Sequence, residues 1–166
     1  ASEPSRLGQT FSTNPIHLLV ELLPIIRNYH SVNFFIELKK ESISRYGSEA
    51  CINALWNLFD GDVDNVVLIS EGETAIQWAK RKGFTQTGLV SNEWSQREMA
   101  IERSAPDYLF VNYFCIPVEE SITASVPVIV YETIDAGIAQ SLLARGATAV
   151  ETFAINDLLK PLSLMA

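Results

Sequence analysis

The sequence predicts an α/β fold, a parallel (β/α) barrel of the TIM type that is incomplete and has about six strand–helix units. Short apolar runs alternate with amphipathic helical segments along the chain, which is typical of a parallel sheet with right-handed crossovers. Polar residues also follow most of the predicted strands, where a barrel has its active-site face. These residues are Glu37, Lys39, Ser70, Asn112, Glu132 and Thr152.

An open, doubly wound sheet is the alternative, because it shows the same alternation. The unbroken succession of strand and helix favours the barrel, and a doubly wound sheet needs polar residues only where its strand order reverses. Against the barrel, 166 residues are fewer than the roughly 250 typical of eight units. Six strands would also leave two unpaired edges, which proteins normally cover.

Composition limits the classes of function. Hydrophobic residues make up 48% of the chain and charged residues 19%, which provides a core and excludes intrinsic disorder. The formal charge of −8 disfavours nucleic acid as a partner. No apolar run reaches the roughly 18 residues of a membrane span, and no signal peptide is evident, so we expect a cytoplasmic protein. Cys51 and Cys115 lie in apolar surroundings without a CxxC motif, which favours buried thiols over a zinc site or a disulfide.

The first helix is predicted over 15–29, and the first strand over 32–38. Asn14 is a suitable N-cap, and Pro15 suits the first helical position because its missing N–H costs nothing there. Pro24 is expected to kink or split the helix. The nearly continuous apolar run at 32–38 predicts a strand that is buried on both faces.

The later elements alternate in the same way within one predicted domain, 1–166, whose residues 1–14 form a loose polar lead-in. Apolar residues at helical spacing, with residues typical of helix ends such as Ser48, Gly83, Asn92 and Gly146, predict the helices. The predicted helices cover 48–59, 72–83, 92–104, 135–146 and 156–165, with a brief helical connector at 117–124. The other strands are predicted at 66–70, 85–90, 108–114, 126–133 and 147–152.

The segment FFIELKK at 34–40 is the most informative for chemistry. Glu37 and Lys39 are two residues apart on a strand, so their side chains point to the same face. Burying a carboxylate and an ammonium there is costly unless they pair or meet a ligand. Glu37 is therefore a candidate ligand for a divalent metal and Lys39 a candidate contact for phosphate. The alternative is that both lie at a frayed strand end and point into water.

FFIELKK resembles the IEIK strand of the glycerophosphodiester phosphodiesterases, and further segments match that family in register. VVLIS is similar to the family's next strand, VIVYETID to its VxVWTVND segment, and LLARGATAVETF to its LLxLGVDGIITDxP ending. TFSTNPIHLLVELLP is similar to the helix that precedes the IEIK strand. The resemblance covers the chain from about residue 10 onward.

The resemblance implies a (β/α)₈ barrel that hydrolyses glycerophosphodiesters to glycerol 3-phosphate and an alcohol in a metal-dependent reaction. It implies Glu37 as a ligand of Mg²⁺ or Ca²⁺, Lys39 as a phosphate contact, and a small-molecule phosphodiester or phosphate as the ligand. The family's His-Arg-Gly, Glu-x-Asp and second His motifs are absent from this chain. Neither His17 nor His30 stands in a matching position, so we expect no hydrolysis by this chain alone.

Two versions of this reading stay open: the chain is the C-terminal part of a longer enzyme, or it is a natural short homologue without catalysis. A non-catalytic phosphate-binding or scaffolding protein is the alternative function, and self-association as a homo-oligomer would then close its edges. Glu71, Glu73 and Glu132 are further candidates for the active-site face, although acidic residues at 71–73 also suit the start of a helix.

Overall fold

All six strands of the computed structural model, which describes residues 17–155 and 158, belong to one sheet. They are β1 (Phe34–Leu38), β2 (Val66–Ser70), β3 (Gln86–Val90), β4 (Tyr108–Asn112), β5 (Val128–Tyr131) and β6 (Ala149–Val150). Each strand pairs in parallel with the next one in sequence. The described strands therefore have no reversal of order, and a doubly wound sheet requires one. The predicted incomplete barrel of the TIM type is confirmed.

Within the residues that the structure describes, six helices with given bounds connect and cover these strands. They are α1 (Leu19–Asn28), α2 (Lys40–Tyr46), α3 (Ser48–Phe59), α4 (Glu73–Lys82), α5 (Arg97–Ser104) and α6 (Ala136–Ala144), and 3₁₀ turns lie at Trp94–Gln96 and Tyr113–Cys115. None of the helices in the described part of the chain is long and apolar enough to cross a bilayer. Cys51 and Cys115 are half-buried free thiols.

Aromatic contacts between distant strands show that the sheet is curled. β1 and β4 are three strand steps apart, which is roughly 14 Å in a flat sheet. The ring of Phe35 on β1 nevertheless lies 5.4 Å from that of Phe110 and 6.0 Å from that of Tyr108, both in edge-on geometry. The three rings therefore point into the interior of a curved sheet.

The core forms two layers, because alternate residues of each strand point to opposite faces. The interior of the curve is filled by Val67, Ile69, Val90, Phe110 and Ile129. The other face of the strands packs against the helices in two larger clusters. Gly88 lies inside the curve, where a Cβ atom would be 2.9 Å from both Ile69 and Phe110.

One expectation for the N-terminal half is wrong, and one alternative of another is excluded. β1 is not buried on both faces, because it is an edge strand of the described sheet and Phe35 is 41% exposed. Pro24 does not split the first helix, since α1 continues through it, and a kink at Pro24 stays a prediction. A short helix, α2, follows β1 directly and was not predicted, because its sequence KESISRY has little apolar periodicity.

Other differences concern the connections. The segment 117–124 is a turn followed by irregular chain and not a helix. Asn92 does not cap α5, because the 3₁₀ turn Trp94–Gln96 precedes that helix. Asp135 does cap α6, its Oδ1 accepting a hydrogen bond from the backbone N–H of Ile138 at 2.9 Å. The predicted lead-in and most of the predicted final helix lie outside the described residues.

Candidate functional site

A cavity of about 350 Å³ lies at the carboxyl ends of the strands, inside the curve of the sheet. We call it the mouth, and its lining is acidic at the rim and apolar at the base. The lining residues are Glu37, Lys39, Ile69, Glu71, Val90, Phe110, Tyr131, Glu132 and Glu151. Ligands of barrel enzymes bind at this end of the strands, so the mouth is the candidate site.

Glu37 and Lys39, the two residues predicted from the sequence, both line the mouth and pair with each other. Lys39 Nζ donates to Glu37 Oε2 at 2.6 Å. The Glu37 side chain is 27% exposed and that of Lys39 64% exposed. Glu37 shares the inward face of β1 with Phe35, so its direction follows from strand alternation. The carboxylate is thus held inside the curve, and the ammonium reaches toward its opening.

Of the other acidic candidates, Glu71 and Glu132 line the mouth and Glu73 does not. Both carboxylate oxygens of Glu73 accept hydrogen bonds from Arg103, at 2.6 and 2.8 Å. These bonds hold the pKa of Glu73 below its usual range, and partial burial opposes them. Glu73 therefore belongs to an ion pair between α4 and α5.

The polar residues at three strand ends serve local structure and not the mouth. Ser70 is fully buried on the helix side of β2, where its hydroxyl donates to the carbonyl of Leu38 at 2.8 Å. Asn112 accepts from the backbone N–H of Phe114, and Thr152 accepts from that of Ala154. The expectation that these three residues surround the active-site face is wrong, because strand ends are also where turns need side-chain acceptors.

Tyr131 and Glu151 line the mouth but were not among the candidates for its chemistry. The Tyr131 hydroxyl donates to Asn92 Oδ1 at 2.8 Å. Burial raises the pKa of Tyr131 to about 12, and nearby acidic groups, Glu71 foremost, add to the rise. The phenol therefore stays neutral. Alternation along β5 and β6 is the signal that could have found both residues, since each lies at the end of a strand.

Four glutamates and one lysine give the lining of the mouth a formal charge of −3. In a partly desolvated cavity such an excess attracts cations and disfavours an unaccompanied anion. A phosphate group would enter most readily next to Lys39 or together with a cation. The mouth is therefore an acidic cavity with Lys39 in its lining, and the ammonium of Lys40 lies 3.6 Å from Glu71 at its border.

The expected divalent metal does not fit this arrangement as it stands. Residues 17–155 and 158 contain no group of three His, Cys, Asp or Glu side chains placed to hold an ion. The Glu37 carboxylate, which would bind the metal ion, is also already paired with the Lys39 ammonium. Hard divalent cations need several oxygen ligands. Glu37 as a metal ligand stays a prediction, and no chemical step is derived through a metal.

The chain's two histidines lie away from the mouth. His17 Nδ1 is 3.2 Å from Glu21 on the exposed side of α1. His30 lies in the loop before β1, at the opposite end of the strand from the mouth. Neither imidazole can exchange a proton with a ligand bound beside Lys39.

The known proteins that this chain resembles were found by structure. No protein-family model and no curated protein matches the sequence. A phosphodiesterase of Oleispira antarctica, solved with the product sn-glycerol-3-phosphate, superposes with a TM-score of 0.73 at 19% identity. A Silicibacter pomeroyi protein assigned to the glycerophosphoryl diester phosphodiesterases gives 0.74 at 13%, and a glycerophosphodiester phosphodiesterase of Parabacteroides distasonis gives 0.72 at 14%.

These superpositions cover 94%, 95% and 89% of this chain but only 65%, 62% and 64% of the respective neighbours. The chain therefore spans less than two thirds of their length. At these identities the likeness establishes the fold, that of a partial barrel. Two of the neighbours bear the name of the family that the sequence resembles, and the third is a phosphodiesterase with bound sn-glycerol-3-phosphate, so the resemblance noted in FFIELKK and the later segments agrees with the structural comparison.

Proposed function

We propose that this chain forms the substrate-facing part of a glycerophosphodiester phosphodiesterase-like barrel, and that its mouth receives the phosphate of a glycerol phosphate ester beside Lys39. The reaction of such a barrel would be metal-dependent hydrolysis to glycerol 3-phosphate and an alcohol. We further propose that these 166 residues on their own bind the ester without hydrolysing it.

The observation that carries the proposal is the Glu37–Lys39 pair at the carboxyl end of β1, inside a fold shared with phosphodiesterases. Lys39 is the one cationic group among the residues that line the mouth. Its ammonium has three donors, of which Glu37 uses one, so two are left for phosphate oxygens. The Oleispira antarctica neighbour with bound glycerol 3-phosphate supports the choice of ligand class.

The absence of turnover rests on the proton-transfer groups. Phosphodiester hydrolysis needs one group to activate water and another to protonate the leaving alcohol. His17 and His30 are remote from the mouth, and the Tyr131 phenol, whose pKa is about 12, is a poor base at neutral pH. Glu37 is engaged by Lys39. The other carboxylates of the mouth, Glu71, Glu132 and Glu151, can accept a proton, but its lining includes no histidine to donate one to the leaving alcohol.

The charge of the mouth predicts how binding depends on cations. Four carboxylates line the mouth, and the ammonium groups of Lys39 and of Lys40, which lies 3.6 Å from Glu71, offset them only in part. A divalent cation in solution should therefore strengthen phosphate binding by lowering the repulsion. The expected effect is electrostatic and does not require a preformed metal site. Mg²⁺ and Ca²⁺ at millimolar concentration should both show it.

Titration of the chain with glycerol 3-phosphate, followed by calorimetry or by amide chemical shifts, tests the binding proposal. A hydrogen bond to a charged group contributes about 1.5–3 kcal/mol, so Lys39→Met should weaken binding roughly 10- to 100-fold. Lys82→Met is the matched control, because it removes the same charge from the end of α4, far from the mouth. Equal affinity of Lys39→Met and wild type would refute the role of Lys39.

Release of glycerol 3-phosphate from glycerophosphocholine, with and without Mg²⁺ or Ca²⁺, tests the second half of the proposal. We expect binding without turnover for wild type and for Glu37→Ala. Hydrolysis that Glu37→Ala abolishes would show instead that the chain is an enzyme by itself. If the chain neither binds nor hydrolyses the ester, the phosphate-ester function is rejected altogether.

A non-catalytic scaffolding role is the second candidate, favoured by the open edges of the described sheet at β1 and β6. It requires no ligand in the mouth and predicts self-association. A chain that forms a stable homo-oligomer and ignores glycerol 3-phosphate would favour it.

A further inference from the structure

The hydroxyl group of Tyr131 is bound on the outer side of the mouth. Tyr131 lines the mouth, and its hydroxyl donates to Asn92 Oδ1 at 2.8 Å. Asn92 does not line the mouth but borders two other cavities, of about 380 and 510 Å³. The ring of Tyr131 is therefore a wall of the mouth, and the position of that wall depends on where Asn92 lies.

Asn92 belongs to a short loop, residues 91–96, that connects β3 with α5. Within this loop the N–H of Glu93 donates to Ser91 Oγ at 3.3 Å, and the N–H of Gln96 donates to the carbonyl of Glu93 at 3.1 Å. These bonds shape the loop but do not involve the Asn92 side chain. The position of Asn92 therefore follows from how the loop as a whole is attached to the barrel.

Trp94 attaches this loop to the next connection of the barrel. Its side chain is buried, with 4% exposure, and the indole Nε1 donates to Glu120 Oε2 at 2.6 Å. A hydrogen bond to a charged acceptor is shorter and stronger than one between neutral groups. Glu120 lies in the turn 117–120, which follows β4. The bond thus joins the connections that follow two neighbouring strands, β3 and β4.

Two arginines hold the two ends of this bond. Arg145, at the end of α6, donates from Nε and Nη2 to the carbonyl of Glu120, at 3.0 and 2.9 Å. The guanidinium of Arg97 lies 3.9 Å from the centre of the Trp94 ring and donates to the Trp94 carbonyl at 2.9 Å. The carboxylate of Glu120 is therefore presented to the indole from a backbone that is itself fixed.

From this series of contacts we infer that Glu120 is a positioning residue of the mouth: it holds Trp94, and through the loop 91–96 it keeps Asn92 in place to bind the Tyr131 hydroxyl. Glu120 acts on the wall of the mouth and touches no ligand. A site keeps its geometry to within about half an ångström only when further hydrogen bonds and packing fix its lining side chains. The placement of Tyr131 does not depend on the phosphate-ester function, whereas its effect on ligand affinity rests on that proposed function.

The alternative is that Glu120 only satisfies the buried indole N–H. Its removal would then lower stability, because a buried donor without a partner is unfavourable, but it would leave Tyr131 unchanged. The ionisation of Tyr131 distinguishes the two roles. Its pKa is raised to about 12 by burial and then by the acidic groups Glu71, Cys115, Glu37 and Glu151. Glu120 is not one of these groups, so loss of its charge alone should leave this pKa where it is.

The test follows the Tyr131 ring by NMR of ¹³C-tyrosine-labelled protein, with Tyr131→Phe to assign its resonance. Glu120→Ala removes the acceptor of the Trp94 bond, and Trp94→Phe removes its donor. Each should release the ring to water and raise the acid dissociation constant of Tyr131 roughly 10-fold. Glu120→Gln keeps an oxygen acceptor and should restore the wild-type value. Glu119→Ala removes the same charge from an exposed position of the same turn and should have no effect.

Two further readouts work at pH 7. Cross-peaks between the Tyr131 ring and the Asn92 side-chain amide should be lost in Glu120→Ala and kept in Glu120→Gln. Binding of glycerol 3-phosphate should weaken about threefold or more in Glu120→Ala and stay near the wild-type affinity in Glu120→Gln. A wild-type chain that does not bind glycerol 3-phosphate would reject the proposed function, while the Tyr131 resonances would still decide the role of Glu120.

Two results would overturn the inference. Unchanged cross-peaks and an unchanged dissociation constant of Tyr131 in both Glu120→Ala and Trp94→Phe would show that Glu120 only pairs with the indole. An equal change in Glu120→Gln or in Glu119→Ala would show that the charge of the turn is responsible and not the hydrogen bond. Circular dichroism at each pH verifies that the variants are folded, and the pH 7 cross-peaks decide the outcome for a variant that unfolds in alkali.

Discussion

Substituting Gly88 by alanine tests the curvature of the sheet, because the added methyl group enters the interior. A Cβ at this position would lie 2.9 Å from Ile69 Cγ2 and from Phe110 Cε2. Overpacking of this kind costs about 1–3 kcal/mol. The loss of glycine's freedom in the unfolded chain returns about 0.4–1 kcal/mol. We therefore expect Gly88→Ala to lower the free energy of unfolding by roughly 0.5–2 kcal/mol.

Urea unfolding followed by fluorescence measures this change, and at about 2–4 °C per kcal/mol the melting temperature should fall by roughly 1–8 °C. Gly137→Ala on α6 is the control, since its Cβ would meet only the end of the Asp135 side chain, at 3.2 Å. The double variant Gly88→Ala, Phe110→Leu should lose less stability than the sum of the two single variants, because the smaller leucine side chain makes room for the added methyl group. A Gly88→Ala protein as stable as wild type would mean that Ile69 and Phe110 do not meet over this residue.

Three further predictions concern a buried amide, the mouth and a surface pair. Asn65→Ala should cost about 1–3 kcal/mol in denaturant unfolding, because its buried Nδ2 donates to two carbonyls at the end of α1. Absorbance titration should show a tyrosine with a pKa of about 12 that disappears in Tyr131→Phe and falls in Glu71→Gln. Arg103→Met should lower the free energy of unfolding at pH 7 and change it much less near pH 3. The pKa of Glu73 is lowered in the folded state, so the stability that the Glu73–Arg103 pair contributes is lost as Glu73 is protonated.

Each of these has a matched control and a contrary outcome. Asn57→Ala, on the exposed side of α3, should change stability little, and a similar loss at both asparagines would contradict the role of the buried amide. Tyr113→Phe should leave the titration near pH 12 in place. Arg45→Met removes the same charge from α2, and a pH dependence equal to that of Arg103→Met would show that net charge alone is responsible.

The strand and helix pattern was predictable because it depends on local burial. VVLIS at 66–70 is buried along its whole length, and SEACINALWNLF forms α3 with the predicted bounds. The amphipathic helices and apolar strands each bury one or both faces, and that leaves a periodic signal in the sequence. The irregular chain at 117–124 and the short helix α2 have no such periodicity, so they were not predicted correctly.

The mouth was predictable only in part. Glu37 and Lys39 were found because two charges in an apolar strand demand an explanation. Ser70 was misplaced because its one-residue offset along β2 turns it to the helix side, where it binds the carbonyl of Leu38. Glu151 and Tyr131 lie at the ends of strands, where alternation gives a local signal, but they become part of the site only because β5 and β6 share one cavity with β1.

The sequence by itself determined which segments become strands and helices and which end of the strands carries the acidic groups, because hydrophobic period and strand alternation are properties of neighbouring residues. Only the tertiary structure decided that the strands follow one another in order and that the sheet curls until Phe35 meets Phe110. It also decided that Lys39 pairs with Glu37 and that Leu22 and Ile25 of α1 are exposed. These features depend on contacts between residues far apart in the chain, which no local pattern records.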